Sequence, residues 1–289
     1  MHSILPQVIV NSIIAGSIYA LVGLGFTMIF RTAKFFDLGY GALTAVGGYM
    51  VFLLYKKFDF PLIVGVVIAI VITALIGLLM DKVIYTRLRE RKASNMVLLV
   101  ASLGAFTAIQ AILAIFFTSQ FQTLVKNGAP ARVIHIAGAY ITETQLIIVV
   151  TAILLTIGLV VLLRYTMLGK SIRAISDDVE VAKIVGINTQ RVIGYVFFIG
   201  AAIAGLSGVL VGFDTGIEPT MGMALLLKGV IAAIIGGAGS IGGAVIGAFL
   251  LAFVENFAVL QVSGEWKDAI AFGLLIIFLL FRPKGIIGT

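Results

Sequence analysis

Cysteine is absent from the 289 residues, which excludes a disulfide framework, a thiolate nucleophile and a zinc-ribbon spacing. Histidine is nearly absent: only His2 and His135 occur, without metal-ligand spacing around either. No GxSxG nucleophile elbow appears, and the residues assemble no catalytic set. Charge is scarce too, at 11% of the chain against roughly a quarter in a soluble domain. So few charged side chains cannot give a globule a wettable surface. What fills the space is hydrocarbon, 61% of residues, in several runs of about the 20 residues that cross a bilayer. These counts predict an all-α polytopic membrane protein.

The apolar runs fall at about 7–30, 40–55, 61–80, 95–117, 145–163, 192–213, 223–237, 244–262 and 267–281. The runs at 40–55 and 223–237 are short and interrupted by glycine, as half-helices or re-entrant elements would be. The expected count is therefore eight or nine transmembrane helices, some broken or short, within a single transmembrane domain over 1–289. The first run is too long for a signal-peptide core and lacks a basic leader and a small-residue cleavage site, so it is expected to be retained.

The net charge of +7 suggests a nucleic-acid partner only until its placement is read. Fourteen of the 20 lysines and arginines lie in loops that strict alternation puts on one side, in the segments 31–34, 82–92, 164–191 and 282–284. Lys56, Lys57, Lys126, Arg132 and Lys267 lie on the other side, and Lys228 falls within a run. That asymmetry marks the first side as cytoplasmic and leaves the bilayer, with no nucleic acid, as the partner of the surface.

Small residues recur every four positions at Gly200, Ala204, Gly208 and Gly212, and again at Gly239, Gly243 and Gly247. Such ridges let helices approach closely in lipid. The run GGAGSIGG (236–243) predicts a break, and FFDLGYGALTAVGGY (35–49) has the same interrupted character.

One stretch is unlike the rest: GKSIRAISDDVEVAKIVGIN, residues 169–188. Asp177 is placed to cap a helix, with Glu180 three residues on. Asp178 and Glu180 suit its positive end, Lys183 lies near the other, and Gly186 is placed to end it. The pattern predicts a helix over 178–185. Ile172, Ile175, Val179, Ala182 and Val185 form an apolar stripe, with Arg173, Asp177 and Glu180 on another face. A helix so short is marginal in water, so its stripe needs something to pack on. The letters GKS do not make a phosphate loop, because GxxxxGK[ST] would need glycine at Arg164.

Within the spans, Glu255 stands far from other charges in sequence. At depth it is expected to face the bundle interior with a partner, and Lys228 is the candidate. Asn11 and Gln110 are further polar residues within spans. All could line a path or fix packing.

The segments TMLGKSIRAISDDVEVAKIVGINTQRV, GGAGSIGGAVIGAF and EWKDAIAFGLLIIFLLFRPKGIIG together resemble the permease subunits of bacterial branched-chain amino-acid ABC importers. The N-terminal NSIIAGSIYALVGLGFTMIF and FFDLGYGALTAVGGYM are similar to that family as well, so the resemblance covers nearly the whole chain. It implies a multi-pass protein of the bacterial cytoplasmic (inner) membrane. The implied partners are a second permease subunit, usually a paralogue, two cytoplasmic ATPases and an extracytoplasmic substrate-binding protein. It further implies that 164–191 is a cytoplasmic coupling loop. Within it Arg173, Asp177, Asp178, Glu180, Lys183 and Gly186 would belong to a helix that docks on the ATPase. No cofactor is then expected on this chain, since ATP sits on partner subunits, and the chain itself is no enzyme. Two alternatives stay open at this point. One is the same architecture carrying a sugar, amide or urea; the other is an ion-coupled secondary transporter working through Glu255 and Lys228.

Overall fold

The computed structural model describes residues 4–125, 133–136 and 138–287; His2, Lys126 and Arg132, named above, lie outside them. The chain is helical almost throughout. Helix α1 (Leu5–Ala33) leads into α2 (Gly39–Val51), which continues as a π-helical turn through Lys57. Helix α3 (Leu62–Met80) likewise runs through a π turn (Asp81–Tyr85) into α4 (Thr86–Glu90). Then come α5 (Asn95–Phe117), the strands β1 (Val133–Ile136) and β2 (Ala139–Thr142), and α6 (Glu143–Tyr165). Two short helices follow, α7 (Met167–Asp177) and α8 (Val179–Ile184), and then α9 (Thr189–Asp214). The chain closes with α10 (Met221–Gly236), α11 (Ile241–Ala258) and α12 (Lys267–Phe281).

Six helical segments are long and apolar enough to span a bilayer: α1, α3 continued through α4, α5, α6, α9 and α11. With α2 and its π turn, α10 and α12, nine helical segments of membrane scale occur among the described residues. The antiparallel β1–β2 pair, which sequence reading did not foresee, joins Val133 to Thr142 and Ile136 to Ala139 across a tight turn at Gly138. It sits inside the long 118–142 connection, too short and polar to register as a span.

The chain divides into two compact units. One comprises Met28–Lys126 and Ile157–Leu226. Here glycine sets the packing distance. A Cβ on Gly208 would lie 1.7 Å from the Thr44 carbonyl oxygen, and one on Gly47 would lie 2.2 Å from that of Gly205. The predicted ridge on α9 is thus the face on which α2 lies. The glycines of 35–49 therefore do not interrupt a helix; they are contact points within α2, and the break falls just before it, at 34–38. The core of this unit gathers Tyr49, Phe52, Leu124 and Ile217, with Phe117 tilted against Tyr49 at 4.9 Å between ring centres. Helices α3 and α5 and the end of α6 turn large aliphatic side chains outward, among them Ile63, Ile115 and Ile157. A face of that kind is stable against hydrocarbon.

The other unit comprises the chain up to Thr27, residues 127–156, and Leu227 onward. Helices α10 and α11 form a hairpin, with Gly243 against the Gly236 carbonyl and Gly247 against that of Ala232. The break predicted at 236–243 is its turn: Gly237 and Gly239 take φ of +114° and +97°, and the Ser240 hydroxyl accepts from the Gly243 N–H at 3.1 Å to start α11. The carbonyls left open at the end of α10 do not stay orphaned. The tail after α12 supplies the Ile286 N–H to the Ile235 oxygen and the Ile287 N–H to the Gly236 oxygen, both at 2.9 Å.

Candidate functional site

The 164–191 segment is built by three caps in succession. Thr166 accepts from the Gly169 N–H at 3.0 Å and starts α7; Asp178 accepts from the Glu180 and Val181 N–H groups at 2.8 and 3.1 Å and starts α8; Asn188 accepts from the Arg191 N–H at 3.0 Å and starts α9. Helix α8 ends in a Schellman motif. Gly186, at φ +84°, donates to the Lys183 oxygen, and Ile187 donates to the Ala182 oxygen, each at 3.0 Å. Gly169 has a different duty, because a Cβ there would lie 2.2 Å from the Leu162 oxygen where α7 folds back on α6.

Two expectations need correction. Asp177 is not the cap; it is the exposed last residue of α7, and Asp178 does the capping from an extended backbone at φ −149°. Glu180 does not complete a capping box but pairs with Lys183 at 2.9 Å on the exposed surface. Because the backbone is extended at Asp178, the stripe is also not continuous. Ile172, Ile175 and Ala182 are buried, while Ile184, the last residue of α8, is 83% exposed and Val185, just past it, 68% exposed. Arg173 is half-buried.

Helix α7 is tied to the segment following α1. Lys34, held at φ +60°, donates its ammonium to the carbonyl of Ser176 in the last turn of α7. Three residues on, the fully buried Asp37 accepts the Tyr85 hydroxyl at 2.7 Å and the Gly39 N–H at 2.9 Å. Burial pushes its carboxyl up to about 6, against these two hydrogen bonds and with help from nearby Asp81. Asp81 is itself buried and ion-paired with Arg89.

A second constellation occupies the other unit. Glu255 is wholly buried; one oxygen accepts the Tyr19 hydroxyl at 2.7 Å and the other meets the Lys228 ammonium at 2.5 Å. Lys228, 13% exposed, also reaches Asp268 at 2.8 Å, and Asp268 is 77% exposed. The sequence-predicted pair thus forms, and two further members join it. Asn11 takes no part: it is exposed and accepts from the Gln7 side chain at 3.0 Å. Gln110 is half-buried on α5.

A family model described as the permease component of the branched-chain amino acid transport system matches residues 8–279. The chain belongs to that family. The permease is 31% identical to the high-affinity branched-chain amino acid transport system permease protein BraD of Pseudomonas aeruginosa, over 98% of this chain and 95% of that protein. It is 32% identical, with the same coverage, to the corresponding protein LivH of Escherichia coli. A solved structure, PsaBC from Streptococcus pneumoniae in complex with Fab, superposes with a TM-score of 0.55 at 13% identity, covering 98% of this chain and 93% of that one. At that identity the likeness concerns the fold alone.

Sequence reading of the permease missed Asp37, Asp81 and Lys34. All three belong to connections or π turns, where neither periodicity nor spacing says which carboxylate will be buried. The one available signal was the acid itself, set between the aromatic pair Phe35–Phe36 and a glycine-rich helix start. Among the described residues no group of three or more metal-ligating side chains comes together.

Proposed function

We propose that the chain is the membrane-spanning subunit of an ATP-driven importer for branched-chain amino acids in a bacterial cytoplasmic membrane. In this reading α7 and α8 are the lever through which ATPase subunits work the spans. The observation that carries it is the family match over residues 8–279 joined to this lever: an amphipathic element in a basic loop, with both its helices capped, whose exposed tip is aliphatic. Val181 and Ile184 on α8 and Val185 just past its end are exposed, beside the Glu180–Lys183 pair. Full burial of an aliphatic side chain is worth about 1.5–3 kcal/mol, so three of them suit a docking knob better than a solvated loop. ATP hydrolysis would belong to the partners, and a separate binding protein would present the substrate.

The lever's motion has a route into the spans. Displacing α7 loads Lys34 through the Ser176 carbonyl, and Lys34 is three residues from the buried Asp37–Tyr85 contact. Arg173, Asp177 and Glu180 supply charge around the docking knob.

Reconstitution with the cognate ATPase, second permease and binding-protein subunits tests the reading. Uptake of leucine, isoleucine or valine should require ATP, and replacing Arg173, Asp177 and Glu180 together by alanine should uncouple substrate-stimulated hydrolysis. Gradient-driven uptake by the purified chain alone would replace this reading with that of a secondary transporter.

A further inference from the structure

A cavity of about 410 Å³ opens where the π turn following α3 meets the first turns of α9. Lys82, Thr86, Asn188, Arg191 and Tyr195 line it, together with Asp81. A groove of about 430 Å³ runs along α3 past Ile72, Leu75 and Leu79, and shares Leu78 and Lys82 with the cavity. The two are therefore contiguous, one end polar and basic, the other wholly aliphatic.

The charges do not cancel. Asp81 is committed to Arg89, and nearby Glu90 accepts from the Gln190 side chain at 3.0 Å. Lys82 and Arg191 make no ion pair among the described residues, and both are exposed. Tyr195, half-exposed in the lining of the polar cavity, is the amphipathic residue type found at membrane interfaces. From Lys82 back to Ile72 is ten residues, or about 15 Å of helix. That is about half of the roughly 30 Å hydrocarbon core, the depth of one leaflet.

We infer that this is a binding site for one anionic glycerophospholipid of the cytoplasmic leaflet, with its phosphate facing Lys82 and Arg191 and an acyl chain along α3. The basic end supplies charge recognition, and the aliphatic groove selects a lipid over a free anion. The site lies on the same π turn that carries Asp81 and Tyr85, so its occupant borders the segment joined to the lever.

The test is site-specific fluorescence quenching in the full chain assembled with its partner subunits. Trp266 is the single tryptophan. A Trp266→Phe, Leu79→Trp chain carries one reporter in the groove, read as the difference from a Trp266→Phe chain assembled with the same partners. Brominated phosphatidylglycerol should quench it with about 25-fold higher apparent affinity than brominated phosphatidylcholine, reflecting roughly fivefold for each of the two basic side chains. Adding Lys82→Gln and Arg191→Gln should abolish the preference, whereas Lys57→Ala should leave it intact. Equal quenching by the two lipids would overturn the proposal, and that comparison needs only the reporter chain. Displacement of the lipid by millimolar inorganic phosphate would overturn it in favour of a free-anion site. A reporter shielded from every brominated lipid would overturn it in favour of a protein neighbour.

Discussion

Glu255 and Asp37 are both acids with no access to water, yet they are held in different ways. Glu255 has a cation and a phenol on its two oxygens, while Asp37 has only neutral donors. Breaking one partner of a buried pair strands the other charge, which costs about 3–5 kcal/mol. Lys228→Ala should therefore destabilise the permease by that order, seen as a lower melting temperature in detergent, and Lys228→Met with Glu255→Gln should recover most of the loss. Asp37 makes a pH-dependent prediction instead. Its folded carboxyl, near 6, lies above its ordinary value of 3.8, so the folded state holds the proton more tightly. The resulting stabilisation is fully present below about 3.8 and is lost as pH rises through about 6, an upper bound of about 3 kcal/mol. The melting temperature of the wild type should rise relative to Asp37→Asn as pH falls from 7.5 to 5; parallel curves would contradict the assignment. Only one of these residues was legible in the sequence. Glu255 announced itself by interrupting hydrocarbon, whereas Asp37 lies in a connection where an acid is ordinary.

At the scale of elements, the α7–α8 pair was legible because capping is local chemistry. The glycine end at Gly186 emerged as predicted, but the cap moved from Asp177 to its neighbour. Two adjacent acids offer the same oxygen to the same N–H groups, and the choice depends on how α7 packs. Asp178→Ala should cost about 1 kcal/mol of local stability, read as faster hydrogen exchange in 179–184; Asp177→Ala should not. Glycine spacing was legible as helix contact but not as to which helix. The reading of 35–49 as a broken element failed for a related reason: glycine in lipid marks close approach as readily as a break. Gly208→Ala forces a methyl into the Thr44 backbone and should destabilise by 1–3 kcal/mol or more, about the cost of overpacking. Ile184→Glu should leave the fold intact and weaken ATPase association about tenfold or more, measured by co-purification.

Across the whole molecule, shortage of charge dictated a membrane protein, and the distribution of its few basic residues supports the proposal that the 164–191 segment faces the cytosol. The strand pair at 133–142 escaped notice because so short a hairpin has almost no periodicity to read. In the proposed function, α7 and α8 form a cytosolic lever gripped by a partner. The natural lack of cysteine makes this directly measurable, since Ile184→Cys creates the only thiol. A membrane-impermeant maleimide should label it in inverted vesicles and not in right-side-out ones, and bound ATPase subunits should slow the labelling. Labelling from the outside, or a rate indifferent to the ATPase, would contradict the account.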